Sequence, residues 1–231
     1  MSLSESSSAY PKQHLYGRRK GRPLHKRKSR LMQELLPQWE ITLGGNAPLD
    51  PFELFDVRPV SIALEIGFGG GEHLAEQAER NPHAGFIGCE PFVNGVASLL
   101  DHIDRKGLRN VRIFPNDARL LLNALPEGSI ARCFVLFADP WPKARHAERR
   151  FVEAENIGRL ARVLKKEGEL RLASDDAQLV RWTREQMERA ADLFVKTHDD
   201  LAPPVDWIRT RYEEKGINAG RAPVYFGYRR R

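Results

Sequence analysis

The stretch SIALEIGFGGGEHLAEQAERN, residues 61–81, decides the fold. Its first eight residues form a nearly unbroken apolar run of strand length, as expected of a strand buried on both faces. Glycines at 67, 69, 70 and 71 follow at once. GEHLAEQAERN then spaces its apolar residues as an amphipathic helix that stops at Asn81-Pro82. A strand, a glycine-rich turn and a helix in that order open a parallel α/β unit. Lacking side chains, the turn can approach a nucleotide-like ligand closely.

The same alternation continues downstream. AGFIGCE (84–90), NVRIF (110–114), SIARCFVLFA (129–138), ELRLAS (169–174) and ADLFVKT (191–197) read as further strands. Between them, 93–108 reads as a helix closed near Gly107, 118–125 as a short helix, 149–168 as a strong helix stopped by Gly168, and 176–190 as another. Alternation this regular predicts a Rossmann-like α/β fold with a mostly parallel, doubly wound sheet, and ligands at the carboxyl ends of its strands. The expected domain covers 59–231. Residues 31–58 read as an irregular lead-in with one short helix, and 198–231 as a C-terminal extension richer in aromatic and basic residues.

The 231 residues fit one large domain with appendages, and no apolar run is long enough to span a bilayer. The opening MSLSESSSAYPK lacks the basic-then-apolar order of a signal peptide, so a cytoplasmic location is expected. The two cysteines, Cys89 and Cys133, fall in buried-strand patterns and read as free core thiols, with no disulfide and no metal site. Charge is concentrated at one end: nine Lys/Arg and no acid stand between Tyr10 and Arg30. Removing those nine bases and the lone acid Glu5 from totals of 37 and 31 leaves 28 bases against 30 acids in residues 31–231. Residues 1–30 therefore read as a flexible basic arm, either simply solvated or suited to nucleic-acid phosphates.

Candidate site residues lie where the strands end. Glu90 closes the second strand, where a carboxylate can accept hydrogen bonds from ribose hydroxyls. That placement suits a nicotinamide dinucleotide and S-adenosylmethionine equally. Two features favour the methyl donor. Glu65 precedes Gly67 and Gly69 in the acid-x-Gly-x-Gly arrangement associated with class I methyltransferases, and Asp117, in NDA (116–118), can face an adenine amino group while capping a helix. A carboxylate-rich pocket also suits a sulfonium cation better than a pyrophosphate. After the fourth strand, FADPWPKARHAERR (137–150) joins an acid and a proline-braced tryptophan to a basic run.

These motifs, with IGCEP (87–91), ASD (173–175) and TRYEEKG (210–216), resemble the bacterial tRNA (guanine-N7-)-methyltransferase family, in order from about residue 60 to the C-terminus. The DPWPKxRHxxRR element carries most of the specificity. The resemblance implies a class I fold and S-adenosylmethionine-dependent methylation of a variable-loop guanine in tRNA, with no membrane and no obligate protein partner. It implies that Glu65, Gly67, Gly69, Glu90, Asp117 and Asp139 bind the cofactor and that Asp139 is also the catalytic position. Lys143, Asp175 and the segment Thr210, Arg211, Tyr212, Glu213 match substrate-contacting positions. The basic run Arg145, His146, Arg149, Arg150 matches a segment assigned to RNA contact. Ala138 stands where a proline is common, Ser174 where threonine is common, and Glu148 where a base is common. Trp141 is read either as packing under the loop or as stacking on a base. Competing readings are a class I methyltransferase with another acceptor, a non-catalytic RNA-binding module, and a nicotinamide dehydrogenase.

Overall fold

The strand at the head of the deciding stretch, β1 (Ile62–Ile66), is buried along its whole length, with parallel neighbours on both sides and helices over both faces. In this computed structural model, which describes residues 17–44 and 48–231, the neighbours are β2 (Gly85–Cys89) and β4 (Ile130–Leu136). With β3 (Val111–Phe114), β5 (Leu164–Ser174), β6 (Phe194–Asp200) and β7 (Val224–Arg230) they form a seven-stranded sheet in the order β3-β2-β1-β4-β5-β7-β6. The first five strands are parallel, and β7 runs antiparallel to both β5 and β6. The expected α/β class and mostly parallel sheet are what the structure has.

Side-chain alternation on β1 divides the core into two layers. Ile62, Leu64 and Ile66 face one cluster, with Leu121, Leu122, Ile157 and Leu160 of the covering helices α5 (Ala118–Ala124) and α6 (Ala154–Val163). Ala63 faces the other cluster, with Leu74 from α3 (Glu72–Arg80) and Leu99 and Leu100 from α4 (Val93–Lys106). Pairing of Ile66 with Cys89 sets the β1 and β2 ends level, and the Gly67 N–H bonds to the Cys89 carbonyl at 2.8 Å. The glycine turn is thereby fixed at the carboxyl edge of the sheet.

Three expectations need correction. Gly168 does not stop a helix: α6 ends at Val163, and Leu164 already pairs with Ile130 in β5. The hydrophilic KKEG is a bulge inside that strand, with Glu167 at φ +63° and a register shift between Ile130 and Arg132. The C-terminal extension is part of the sheet. It supplies α8 (Arg211–Asn218) and then β7, which inserts between β5 and β6, its residues 224–228 all buried.

The third correction concerns the arm. Residues 1–16 lie outside the described residues, but the rest of the basic stretch lies along α4. Arg19 C=O accepts the Val93 N–H at 2.9 Å, and the Asn94 side chain bonds the Gly21 N–H and the Arg22 carbonyl, each at 2.8 Å. Lys26–Glu34 is a helix, α1, followed by the single turn α2 (Leu36–Trp39). Arg27 bridges Asp101 and Asp104, both at 2.6 Å, and Leu31 is buried among the α4 side chains. Local acids on α4 and one apolar anchor order a segment whose own composition is hydrophilic.

Candidate active site

The carboxyl ends of β1, β2 and β4 open into a cavity of about 820 Å³, within the usual range for a small-molecule site. Its floor is the glycine turn. Gly67 has φ +73°, and a Cβ there would project into open space on the cavity side. At Gly95, in the first turn of α4, a Cβ would overlap the Gly69 carbonyl oxygen, so the turn and α4 can meet only because Gly95 lacks a side chain. The residues present fit a small nucleoside ligand on this observation: a bare backbone cradle faces a cavity of suitable size, with a carboxylate at its edge.

That carboxylate is Glu90. Its Oε2 accepts the Gly69 N–H and its Oε1 the Phe92 N–H, both at 2.9 Å. Burial raises its pKa above the ordinary carboxylate value; the two backbone N–H groups oppose this, and the negative charges of Asp139 and Glu65 add to it. Asp117 also lines the cavity and caps α5, accepting the Arg119 N–H at 3.0 Å. Its other oxygen meets Arg119 Nη2 at 2.5 Å. The helix-cap and ligand-facing readings of Asp117 are therefore compatible in one geometry.

Glu65 is placed differently from the other acids. It shares the Ala63 face of β1, and its Oε2 lies 2.7 Å from His73 Nδ1, with both side chains almost fully buried. Gln77 continues the pair at 3.3 Å from His73 Nε2. The carboxylate thus ties the end of β1 to the start of α3 beneath the glycine turn and does not form part of the cavity wall.

The segment after β4 is strained around its acid. Phe137 has φ +52° and Trp141 φ +43°, conformations that cost on the order of 1–3 kcal/mol each for non-glycine residues. Asp139 lies between them, exposed on the cavity wall. The clamp on this loop is Arg150, which is 4% exposed. Its Nε donates to the Pro140 carbonyl at 3.0 Å and its Nη2 to the Trp141 carbonyl at 3.2 Å, while its guanidinium lies 4.7 Å over the Trp182 ring. The Trp141 ring packs edge-on to His146 at 5.8 Å and beneath the Arg149 guanidinium at 5.2 Å. Lys143 and Arg145 are exposed. Desolvation, then the charges of Arg149, Arg145 and Lys143, lower the His146 pKa.

The TRYE segment splits into two roles. Thr210 and Glu213 form a reciprocal capping box at the start of α8, both buried. Tyr212 points the other way: a Cβ on Gly69 would lie 2.6 Å from its ring, and its phenol pKa is raised by desolvation and by the charges of Glu90 and Asp139. Arg211 is exposed, and Asp175 pairs with Arg221 at 2.7 Å beside Gly216.

Around one cavity the fold therefore gathers Gly67, Gly69, Glu90, Asp117, Asp139, Arg149, Arg150 and Tyr212. Glu65, Thr210 and Glu213 stand behind it, and Lys143, Arg145, His146, Asp175 and Arg211 outside its lining. Sequence reasoning missed Arg119 and Trp182, which also line it, and read Arg18, another lining residue, only as part of the basic arm. Arg119 could have been found, since it stands two residues after the cap of a short helix; the arm's composition gave no sign that Arg18 reaches the cavity. Among the described residues no cluster of three or more His, Cys, Asp or Glu side chains could hold a metal ion.

Comparison with known proteins agrees with this geometry. A family described as "Putative methyltransferase" matches residues 59–225. A tRNA (guanine-N(7)-)-methyltransferase of Paramagnetospirillum magneticum is 49% identical over 229 residues, spanning 97% of this chain and 96% of that one. The solved 16S rRNA methyltransferase KamB superposes with a TM-score of 0.59 at 13% identity, over 80% of this chain and 95% of that one. A 16S rRNA (adenine(1408)-N(1))-methyltransferase of Catenulisporales acidiphilia, solved with cosubstrate SAM, gives a TM-score of 0.52 at 17% identity, over 74% of this chain and 85% of that one. The two structural likenesses speak to the fold alone.

Proposed function

The chain belongs to the tRNA (guanine-N(7)-)-methyltransferase family, and from that premise we propose how its cavity carries the reaction. The protein transfers a methyl group from S-adenosylmethionine to N7 of a guanine in tRNA. When bound, S-adenosylmethionine supplies an electrophilic methyl group on a sulfonium centre. Glu90 would receive the ribose hydroxyls, Asp117 would face the adenine amino group, and the bare backbone of Gly67 and Gly69 would give the nucleoside room. Carboxylates along the cavity, Glu90 and Asp117 among them, suit a cationic donor.

Guanine N7 bears an in-plane lone pair and no proton, so the chain needs no general base. Its residues act by position and charge. Asp139 accepts from the adjacent N–H donors on guanine's Watson–Crick edge, which disfavours adenine, and offsets the positive charge left on the methylated ring. Lys143, Arg145, His146 and Arg149 meet the RNA around the exposed base, with Arg211, Tyr212 and Asp175 on its other side. The acceptor we assign is a variable-loop guanine, by the family resemblance. The setting we assign is the cytoplasm, with no obligate protein partner; among the described residues no helix is long and apolar enough to cross a membrane.

One observation supports this reading above the others: Asp139 stands exposed on the wall of the same cavity as Glu90 and Asp117, on a loop strained at both flanks. The test is methyl transfer from labelled S-adenosylmethionine to unmodified tRNA, with mapping of the alkali-labile 7-methylguanosine. Label on an exocyclic amine, or on protein only, overturns the proposed chemistry.

A further inference from the structure

Behind the cavity, Glu213 is a carboxylate only 1% exposed, yet its nearest cation, Arg209, is 3.9 Å away. A buried carboxylate is costly unless hydrogen bonds satisfy it, and neutral donors do so here. Trp207 Nε1 donates to Oε2 at 2.8 Å, the Tyr225 hydroxyl to Oε1 at 2.6 Å, and the Thr210 N–H to Oε2 at 3.3 Å. Neither Trp207 nor Tyr225 lines the cavity.

The Trp207 ring packs edge-on against Tyr225 at 4.8 Å and lies 6.2 Å from His73. His73 is the partner of Glu65 beneath the glycine turn. The opposite end of the chain of contacts is Tyr212, one residue before Glu213, whose ring covers Gly69 of that same turn. The glycine turn and α8 are thus joined twice, once across the cavity through Tyr212 and once through the core by way of His73, Trp207 and Glu213.

We propose that Trp207 and Tyr225 are positioning residues for the methyl transfer, holding α8 through Glu213 so that Tyr212 stays over Gly69 at the acceptor side of the cavity. This rests on the reading of Tyr212 as a substrate-side residue. An aromatic ring held there is fixed relative to the donor cradle and can orient an incoming base without a change in donor binding. Trp207→Phe keeps an aromatic ring, though a smaller one, and deletes the Nε1–H donor; Tyr225→Phe keeps its ring and deletes the other side-chain donor.

The test measures kcat/KM for tRNA, Kd for S-adenosylmethionine and melting temperature for Trp207→Phe, Tyr225→Phe, Tyr212→Ala and the double variant Trp207→Phe/Tyr212→Ala. Each Phe variant is expected to lose roughly tenfold in kcat/KM for tRNA, the effect of removing one hydrogen bond to a charged group, with S-adenosylmethionine affinity unchanged within about twofold. Trp207→Phe is expected to add little in the Tyr212→Ala background. Full activity in Tyr212→Ala defeats the reading of Tyr212 itself. An impaired Tyr212→Ala with unaffected Phe variants, or with a Trp207→Phe loss that adds in full, overturns the positioning role. A lowered melting temperature with unaltered kcat/KM makes the hub structural only and overturns it as well. If Trp207→Phe fails to fold, Tyr225→Phe alone carries the decision.

Discussion

Arg150 and Arg145 sit five residues apart in one basic run, and the structure assigns them opposite work. Arg150 is buried and holds the carbonyls of Pro140 and Trp141, whereas Arg145 is exposed. Replacing Arg150 with Met keeps most of the apolar stem and deletes the guanidinium. The loss comprises two hydrogen bonds from a charged donor, on the order of 1.5–3 kcal/mol each, and a buried cation–π contact of about 1–2 kcal/mol. Part is recovered when the freed carbonyls meet water, so about 2–3 kcal/mol is expected to fall on the ordering of the Asp139 loop, roughly 30- to 150-fold in kcat/KM. The salt dependence of tRNA affinity should not change, because no phosphate contact is lost. Arg145→Ala should reverse the pattern: a small effect on the chemical step, and a log–log salt slope shallower by about 0.7–0.9. Methyl-transfer rates and tRNA binding across a salt series read both quantities. An Arg150→Met enzyme with a normal rate and a slope reduced by about one would make Arg150 a phosphate contact and refute the clamp.

Gly95→Ala should weaken S-adenosylmethionine binding by about five- to 150-fold, since its Cβ overlaps the Gly69 carbonyl and overpacking of this kind costs about 1–3 kcal/mol; calorimetric titration reads it, and unchanged affinity would mean the turn has slack. Asp139→Ala should cut kcat by about 10² or more while leaving donor affinity within a few-fold, and a variant with full turnover would remove Asp139 from the reaction. Because the Glu90 pKa is raised, its proton returns at a higher pH than for an ordinary carboxyl group. An ionised Glu90 accepts from ribose hydroxyls, so donor affinity should fall on acidification while ordinary carboxylates are still charged, and Glu90→Gln should flatten the profile. The sign for stability is opposite: an acid with a raised folded-state pKa makes the free protein less stable as pH rises from the unfolded to the folded value. Melting curves of the wild type and Glu90→Gln across that window check this.

The parallel half of the sheet was legible because burial on both faces leaves apolar runs, and because Gly107 and Asn81-Pro82 punctuate the helices. The antiparallel end was not. β7 reads VYFGYRR, with a glycine at its centre and arginines at its end, and only its insertion between two strands from elsewhere makes it a central strand. Gly227 is there because a Cβ would meet Thr197 Oγ1 at 2.8 Å, a constraint that no local pattern carries. The order of residues 19–30 was hidden for the same reason, since Asp101, Asp104 and Asn94, which fix it, lie some seventy residues away.

Within the site, chemistry was legible at the level of residue type but not of direction. Glu65, Glu90, Asp117 and Asp139 were all read as facing one ligand, and three of them line the cavity. Glu65 does not, because strand alternation places it on the Ala63 face, where His73, one residue into α3, is the nearest partner. The same parity separates Tyr212 from Glu213: adjacent residues of a helix diverge by about a hundred degrees, so when one covers the glycine turn the other is driven into the core. A carboxylate sent inward requires donors, and Trp207 and Tyr225 supply them from outside the motif. The motif residues that face away from the ligand are therefore as constrained as those that face it, since they decide where the facing ones stand. Substitution at Glu213 should accordingly injure tRNA turnover through Tyr212, with the donor site intact, although its carboxylate does not line the cavity.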